Sequence, residues 1–370
     1  MNDKLQPYRR PSSYLWTHVF VELTNACNFH CDFCPSDSMR RPRARMSGSM
    51  WKKILIEIAE KKLSDTICFH QLGEPLLHPD IFDAIEFANS LHLSVILFTN
   101  GALLDEDRSR RLIQSLKRGI VVLSLQDIRP ETFSSRSRNM LSWSEYFKRL
   151  MDFLVQADAA GLSVQLDCLA DLRSIGWSLT KYRKEKREIQ RFYDDLSRSL
   201  GSLQPSRISI LKPMINYPLG KKSTLYIKPK GTWDNQLRPP GTTVIKSMHG
   251  HCSIMHDTFV IQCDGTCTYC CCDHEGMLDL GNANQCSLEE IFLGEKSQRI
   301  ISGEAEGRFV EERCRECKGR LIDSKTKKRV LDRPLYAEFY YLRDHLARHG
   351  WRELWKKAGG NLRRRLLASK

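Results

Sequence analysis

The chain has no stretch of about 18 consecutive apolar residues, so the signal of a membrane-spanning helix is missing. Residues 1–10 are polar and include a proline, and the apolar core of a signal peptide is missing as well. We find no helix-turn-helix, zinc-finger or RNA-recognition signature beside the basic runs, so nucleic-acid binding is not indicated. These absences predict a cytoplasmic protein without a membrane span.

Positive charge is in excess, because 58 Lys and Arg stand against 44 Asp and Glu and give a net charge of +14. The excess is scattered, with local densities at residues 40–45, 181–191, 325–333 and 363–365. Scattered charge of this kind usually forms a solvated surface. An anionic substrate or a protein partner is the alternative.

Cysteine is abundant, with 14 residues that fall mostly in two clusters. Clustered cysteines in a reducing compartment indicate metal ligation or catalysis rather than a disulfide framework. The length of 370 residues, 41% of them hydrophobic, allows one large core with a smaller extension.

Short apolar runs alternate with helical patterns over the first 211 residues, which predicts an α/β fold with a parallel sheet. Amphipathic helices are predicted at 49–62 and 143–160. The expected architecture is a partial (β/α)6 TIM-like barrel, with its chemistry on loops at the carboxyl ends of the strands. The predicted strands are Val19–Leu23, Thr66–Gln71, Leu93–Thr99, Gly119–Leu125, Leu162–Leu169 and Ile208–Leu211.

Four segments are expected along the chain. Residues 1–215 form the main barrel domain, and residues 216–250 are polar, contain several Pro and Gly, and predict a linker or lid. Residues 251–322 predict a small cysteine-rich α+β domain. Residues 323–370 predict a basic tail that is helical over 336–367.

The first cysteine cluster has the spacing C-x3-C-x2-C and follows the first predicted strand, with Cys27, Cys31 and Cys34. Three thiolates this close can bind three irons of a 4Fe-4S cluster and leave the fourth iron open to another ligand. A structural zinc site would need a fourth Cys or His, and the nearby His30 lies between two of the cysteines.

This spacing, with Phe33 before the last cysteine, resembles the signature of the radical S-adenosylmethionine (SAM) superfamily. The resemblance continues in the same order through Gly73-Glu74-Pro75, where Leu72 replaces the family's first glycine, then Asn100 and Ser124. It implies that SAM and a 4Fe-4S cluster are cofactors and that Arg136 or Arg138 meets the SAM carboxylate. The implied SAM contacts are Phe33, Gly73, Glu74, Pro75, Asn100, Ser124 and Arg138.

The resemblance also implies the chemistry. An electron donor such as flavodoxin or ferredoxin reduces the cluster, SAM is cleaved to a 5′-deoxyadenosyl radical, and the radical abstracts hydrogen from an unactivated carbon. Cluster and SAM supply this reactivity, while the protein orients the reactants and excludes water.

The second cysteine region resembles the SPASM and twitch extensions of this superfamily. The resemblance implies a second, auxiliary 4Fe-4S cluster. The extension resembles the twitch type, which has one auxiliary cluster, because no cysteine follows Cys317. Cys271 is the alternative to Cys270, and a zinc ribbon is the alternative for the whole region. The implied ligands are Cys252, Cys270, Cys314 and Cys317.

A second C-x3-C-x2-C spacing occurs at Cys263, Cys267 and Cys270. About 100 residues follow it, too few for the downstream strands of a barrel and without a Gly-Glu-Pro sequence. The N-terminal triplet is therefore assigned to SAM.

Asp167, on a predicted strand facing the cavity, is the candidate catalytic base. Gln71, Asp127 and His70 are further polar candidates, whereas His78, in a Leu-Leu-His-Pro context, is interpreted as part of a structural turn.

The leading hypothesis is a radical SAM oxidoreductase that abstracts hydrogen from a small polar, alcohol or amino-sugar-like substrate. One alternative is a peptide- or protein-modifying maturase, disfavoured because only 26 residues precede Cys27 and a second auxiliary site is missing. Another alternative is a non-catalytic iron-sulfur electron relay or binding protein.

Overall fold

The computed structural model describes residues 15–137, 141–170, 179–201, 206–210, 215–229, 238–328 and 330. The strands of these residues are β1 (His18–Val21), β2 (Thr66–Phe69), β3 (Ser94–Thr99), β4 (Gly119–Gln126), β5 (Ser163–Ala170), β6 (Ile215–Pro218), β7 (Ser223–Pro229), β8 (Thr242–Ile245), β9 (Thr258–Ile261), β10 (Cys267–Thr268) and β11 (Arg320–Asp323).

The helices of the same residues are α1 (Gly48–Glu60), α2 (Ile81–Ser90), α3 (Glu106–Ser115), α4 (Pro130–Ser137), α5 (Trp143–Ala159), α6 (Leu179–Ser199), α7 (Ser253–Asp257), α8 (Leu288–Leu293), α9 (Glu295–Ala305) and α10 (Glu312–Cys317). Short 3-10 helices lie at Pro35–Ser38 and Pro75–Leu77. No described helix is both long and apolar enough to cross a membrane.

One nine-stranded sheet organises the molecule, in the order β10-β9-β1-β2-β3-β4-β5-β7-β6. The strands from β9 to β7 run parallel, and β10 and β6 pair antiparallel at the two edges. The predicted parallel α/β sheet is confirmed, and in the described residues it is open, as a partial barrel requires. A separate two-stranded sheet joins β8 to β11.

The two predicted amphipathic helices are confirmed in α1 and α5. Helix α1 begins after Ser47, whose side chain accepts a hydrogen bond from the backbone of Met50. Helix α5 begins with a capping box between Ser142 and Glu145. Each buries one apolar stripe against the sheet, as the 3.6-residue period predicts.

The strands bury their two faces unequally. In β3, Val95 and Leu97 are fully buried, whereas Ile96 and Phe98, on the opposite face, are half-buried. The second face lines the barrel interior, so side chains near the carboxyl ends of β2 to β7 share one region.

The sixth predicted strand, at 208–211, is wrong over its described residues 208–210, and Leu211 lies outside the described residues. Ile208 and Ile210 are buried, but they lie in irregular chain, and the backbone N–H of Ile208 donates to the side chain of Gln190 instead of a neighbouring strand. The sixth barrel position is taken by β7, which pairs along its length with β5. Strand β7 lies inside the segment predicted as a linker, 216–250, so that segment is not only a connection.

The main sheet also crosses the boundary predicted at residue 251, because β9 pairs parallel with β1. Helix α8 begins with a capping box between Ser287 and Glu290. The helix predicted over 336–367 lies outside the described residues.

Candidate active site

The first cysteine cluster lies on the loop that leaves the carboxyl end of β1. The backbone N–H of Cys34 donates to the carbonyl of Cys31 (3.0 Å), and the Sγ of Cys27 accepts from the N–H of Phe29 (3.4 Å). Burial, together with the nearby Glu74 carboxylate, raises the pKa of Cys27 to about 12, and burial raises the pKa of Cys34 to about 11. Three thiols gathered in a desolvated pocket fit the donor set of an iron-sulfur cluster, which binds them as thiolates.

Arg136, at the end of α4, contacts this loop directly. Its Nε lies 3.2 Å from the Sγ of Cys31, and its guanidinium also donates to the carbonyl of Leu125. The guanidinium is 5.1 Å from the ring centre of Phe29 and 5.8 Å from that of Phe33. The residue is only 3% exposed, so a buried cation faces the cysteine loop. Arg138, the other predicted arginine, lies outside the described residues.

The Gly73-Glu74-Pro75 turn packs against the same loop. Gly73 has a φ of +77°, and a Cβ on it would lie 2.2 Å from the carbonyl oxygen of Thr24, so a residue without a side chain is required. The backbone N–H of Glu74 donates to the carbonyl of Ala26 (2.8 Å). The turn therefore joins the carboxyl ends of β1 and β2.

The Glu74 carboxylate is used internally. It accepts hydrogen bonds from the hydroxyl of Thr99 (2.7 Å), the backbone of Asn100 (2.7 Å) and the backbone of Leu76 (3.1 Å). Burial raises the pKa of Glu74 to about 7 against these three hydrogen bonds, which lower it. Glu74 thereby fixes the loop that follows β3.

Asn100 extends from that loop back to the cysteines. Its Nδ2 donates to the Oδ1 of Asn28 (2.8 Å) and lies 3.9 Å from the Sγ of Cys27. Its carbonyl accepts from the hydroxyl of Tyr146 (2.8 Å). Loops from β1, β2 and β3 are thus joined by hydrogen bonds around the first cluster.

Ser124 lies at the end of β4, where its carbonyl accepts a hydrogen bond from Arg136 (3.2 Å). Phe33 is half-buried beside the same arginine. The structure therefore brings Phe33, Ser124 and Asn100 to one edge of the sheet with the cysteine triplet.

A polar group lies inside the barrel. The Oδ2 of Asp167 on β5 is 2.6 Å from the Nζ of Lys228 on β7, and its Oδ1 accepts from the side chain of Gln165 (2.8 Å). The side chain of Asp167 is 2% exposed, whereas that of Lys228 is 35% exposed. The predicted base is therefore held in an ion pair whose cation is the more accessible partner.

Two aromatic side chains, His70 and Tyr226, lie near this ion pair. His70 stacks on Phe98 with ring centres 4.2 Å apart, and burial, with a smaller effect from Lys228, lowers the pKa of His70 to about 3. Burial and the charge of Asp167 raise the pKa of Tyr226. His70 is consequently neutral at neutral pH.

The other polar candidates have structural partners. Asp127 is paired with Arg129 (2.8 Å) in the loop after β4. The side chain of Gln71 donates to the carbonyl of Asp273 (3.0 Å). The Nε2 of His78 lies 2.9 Å from the carbonyl oxygen of Met46, which is the structural role predicted for it.

The second cysteine group is assembled from distant segments. Cys252 precedes α7, Cys270 follows β10, and Cys314 and Cys317 lie one turn apart on α10. Burial, and then the nearby Cys270 and Cys252, raise the pKa of Cys314 to about 12. Cys252, Cys270 and Cys314 are therefore mutually close.

The remaining cysteines of the second C-x3-C-x2-C spacing lie elsewhere. The backbone N–H of Cys263 donates to the Glu22 carboxylate (3.1 Å), and Cys267 is fully buried in β10. The structure thus separates Cys263 and Cys267 from Cys270.

No three Cys, His, Asp or Glu of the described residues lie close enough together to hold a single metal ion. The thiolates of a 4Fe-4S cluster bind different irons and lie farther apart than the ligands of one ion. The two cysteine groups are compatible with this wider spacing.

A salt-bridged contact joins the two cysteine regions. Arg41 forms a bidentate ion pair with Glu22 (3.0 Å) and donates to the carbonyl of His274 (2.6 Å). The backbone of Arg40 donates to the Glu275 carboxylate (2.8 Å). The loop that carries Cys270 is thereby held against the loop that carries the first cluster.

Sequence reasoning missed Lys228 and the contact of Arg136 with Cys31. Lys228 has a visible signal, because Leu225 and Ile227 alternate with Tyr226 and Lys228 as in a strand with one polar face. The Arg136 contact has no such local signal, since 105 residues separate the partners.

Comparison with known families agrees with this geometry. The sequence profile of the Radical SAM superfamily matches residues 21–169, and that of the SPASM iron-sulfur cluster-binding domain matches residues 252–318. The first match implies SAM and a 4Fe-4S cluster as cofactors, and the second implies further iron-sulfur binding.

Curated relatives match over shorter segments. An uncharacterized protein of Methanocaldococcus jannaschii is 30% identical over 136 residues, 36% of this chain and 41% of that protein. The PqqA peptide cyclase of Streptomyces rochei is 35% identical over 116 residues, 30% of each chain. The SAM-dependent 2-deoxy-scyllo-inosamine dehydrogenase of Niallia circulans is 29% identical over 103 residues, 27% of this chain and 41% of that enzyme. The chain spans less than half the length of these relatives.

Two solved structures share the fold. Streptococcus suis SuiB bound to the precursor peptide SuiA has a TM-score of 0.53 and 14% identity, covering 78% of this chain and 67% of SuiB. His-tagged anSMEcpe with bound AdoMet has a TM-score of 0.51 and 15% identity, covering 89% of this chain and 95% of that protein. These identities support a likeness of fold alone.

Proposed function

The chain belongs to the radical SAM superfamily and carries a SPASM iron-sulfur domain, and on this premise we propose an enzyme that abstracts hydrogen from a small polar substrate. When bound, SAM and the cluster supply a 5′-deoxyadenosyl radical. A flavodoxin or ferredoxin is the proposed electron donor. The cluster ligands in this proposal are Cys27, Cys31 and Cys34 for the first cluster, and Cys252, Cys270, Cys314 and Cys317 for the auxiliary cluster.

One observation carries the proposal: loops from neighbouring strands converge on the cysteine triplet. Arg136 reaches Cys31 from the segment after β4, and Asn100 approaches Cys27 from the loop after β3. An edge of this kind, at the carboxyl ends of parallel strands, is where enzymes with such folds bind their reactants.

The structure refines the proposed SAM contacts. All three hydrogen bonds of the Glu74 carboxylate go to this chain's own groups, so we assign Glu74 a positioning role. The backbone around Gly73 and Pro75, with Asn100, Ser124 and Phe33, supplies the contacts themselves. Arg138 stays a proposed contact on the resemblance alone.

A polar substrate is supported by the interior of the barrel. The Asp167–Lys228 pair offers one acceptor and one accessible donor, and the neutral His70 adds a hydrogen-bonding ring. A hydroxyl or amino group can exchange hydrogen bonds with both members of such a pair. Asp167 is the proposed acceptor of the substrate proton, held in place by Lys228 and Gln165.

The test is iron, sulfide and EPR analysis of anaerobically reconstituted, reduced protein, with SAM cleavage followed by mass spectrometry. We expect about eight irons in the parent and about four in the Cys27/Cys31/Cys34→Ala variant. SAM should change only the parent's spectrum, and only the parent should form 5′-deoxyadenosine. About four irons with one zinc would overturn the auxiliary cluster, and a parent that forms no 5′-deoxyadenosine would be an electron relay.

A peptide-modifying enzyme is the second candidate, favoured by the likeness to a PqqA peptide cyclase and to SuiB in complex with a peptide. Its substrate is a ribosomal peptide whose mass falls by 2 Da per cross-link, whereas a polar small molecule would lose the same mass on oxidation of an alcohol. Incubation with amino-sugar and alcohol panels, beside peptides encoded near the gene, separates the two candidates.

A further inference from the structure

A basic cleft lies on the outside of the barrel, between α6 and the segment 206–208. Arg183, Lys186 and Arg187 come from α6, and Arg207 faces them from the other wall. The cleft encloses about 570 Å³, within the range of small-molecule sites. Gln190 and Asp194 complete the α6 wall.

The α6 cations of the cleft share one helix face. Positions 183, 186, 187, 190 and 194 follow the i, i+3, i+4, i+7 and i+11 pattern, which brings them to one side of α6. Two other α6 cations, which do not line the cleft, are paired: Lys184 with Glu188 (3.9 Å) and Arg198 with Asp195.

Within the described part of the chain, no carboxylate neutralises the cleft cations. Arg183, Lys186, Arg187 and Arg207 make no ion pair with a carboxylate of the described residues. Asp194, the one acidic lining residue, accepts from Gln190 (2.9 Å). Four cations against one carboxylate in a cleft produce a focused positive potential, and their mutual repulsion is relieved by a bound anion.

The second wall is fixed in place. The side chain of Gln190 donates to the carbonyl of Ser206 (3.1 Å) and accepts from the N–H of Ile208 (2.8 Å), on either side of Arg207. The hydroxyl of Tyr193 accepts from the N–H of Ser206 (3.1 Å) and donates to the carbonyl of Pro218 (2.6 Å). A rigid wall lowers the entropic cost of placing Arg207 against a ligand.

We propose that this cleft binds the diphosphate group of a small ligand. Three arginines and one lysine lining one volume suit the multiple charges and the forked oxygen geometry of a diphosphate. A single carboxylate would leave most of these cations without a partner. The site is separate from the cysteine groups and does not depend on the reaction proposed above.

Isothermal titration calorimetry of the reconstituted protein with magnesium-free pyrophosphate tests the proposal. We expect saturable binding with one site, at least about tenfold tighter than that of inorganic phosphate. The Arg187→Gln/Arg207→Gln variant should weaken pyrophosphate binding at least about tenfold. Arg191→Gln, on α6 outside the cleft, is the matched control and should change it less than about twofold.

Further probes identify the source of the diphosphate. Stronger binding of ADP than of farnesyl diphosphate would assign a soluble nucleotide ligand, and the reverse would assign a lipid-linked one. The proposal fails if pyrophosphate binding does not saturate by about 1 mM or if Arg191→Gln weakens it as much as the cleft variant. It also fails if hexaglutamate binds more tightly than pyrophosphate, because the cleft would then suit an acidic protein partner.

Discussion

The Nε of Arg136 lies 3.2 Å from the Sγ of Cys31, although 105 residues separate them in the chain. Around this contact the guanidinium is buried and is also held by the carbonyl of Leu125. A fixed positive charge and a hydrogen bond therefore act on one of the proposed cluster ligands. Both stabilise the more negative, reduced form of a cluster.

We expect Arg136→Gln to lower the reduction potential of the SAM cluster by about 60 mV, the equivalent of one charge-assisted hydrogen bond. Redox titration followed by EPR measures the shift. Arg129→Gln, in the loop before α4 and paired with Asp127, should leave the potential unchanged. An unchanged potential in Arg136→Gln would show that the arginine does not act on the cluster.

The choice between Cys270 and Cys271 can be tested by iron content. Cys270 is close to Cys252 and Cys314, so Cys270→Ala should lose about four of about eight irons. Cys271→Ala is the matched control and should keep them. The opposite result would make Cys271 the ligand.

The Asp167–Lys228 pair should couple strongly in a double-mutant cycle. Lys228→Met leaves the carboxylate buried, with Gln165 as its remaining partner among the described residues, so we expect a loss of about 3 kcal/mol in the free energy of unfolding. The double variant Asp167→Asn/Lys228→Met should recover most of the lost free energy of unfolding.

Urea unfolding of the reconstituted protein provides the measurement for this cycle, with the exposed Lys222→Met as the control. A cost for Lys228→Met no larger than that of Lys222→Met would mean that the ion pair does not hold Asp167.

The neutral state of His70 makes stability depend on pH. Its pKa is lowered from about 6.5 to about 3, so the unfolded chain binds a proton that the folded chain does not. The contribution of neutral His70 to the free energy of unfolding is therefore fully present above pH 6.5, and it is lost as the pH falls from 6.5 toward 3.

Between pH 7.5 and 5.5 we therefore expect the parent to lose about 1 kcal/mol relative to His70→Gln. The measurement is urea unfolding at both pH values, with the exposed His92→Gln as the control. Parallel pH dependence of the parent and His70→Gln would contradict the lowered pKa.

Glu74 should matter for stability as well as for SAM binding. Glu74→Ala removes the acceptor of three hydrogen bonds, and we expect the free energy of unfolding to fall by about 3 kcal/mol. SAM affinity, measured by equilibrium dialysis, should fall with it because Asn100 loses its anchor. Glu60→Ala, at the exposed end of α1, should change neither quantity.

Local spacing in the sequence was enough for the chemistry and for much of the architecture. The cysteine triplet with Gly-Glu-Pro predicted SAM and an iron-sulfur cluster, and the two families matched agree with it. The period of apolar residues located α1, α5 and the first five strands, because an element that buries one face repeats its apolar residues at a fixed local spacing.

Only the tertiary structure decided which distant segments meet. Apolar residues alternate in both 208–211 and 223–229. Only residues 223–229 are a strand that pairs with β5 in the described chain, whereas the backbone N–H of Ile208 donates to the side chain of Gln190. The same pairing brings Lys228 to Asp167, and the packing of α4 brings Arg136 to Cys31. The period of apolar residues predicts that a residue is buried, but it does not predict which residues it packs against. Packing partners depend on contacts between residues far apart in the chain.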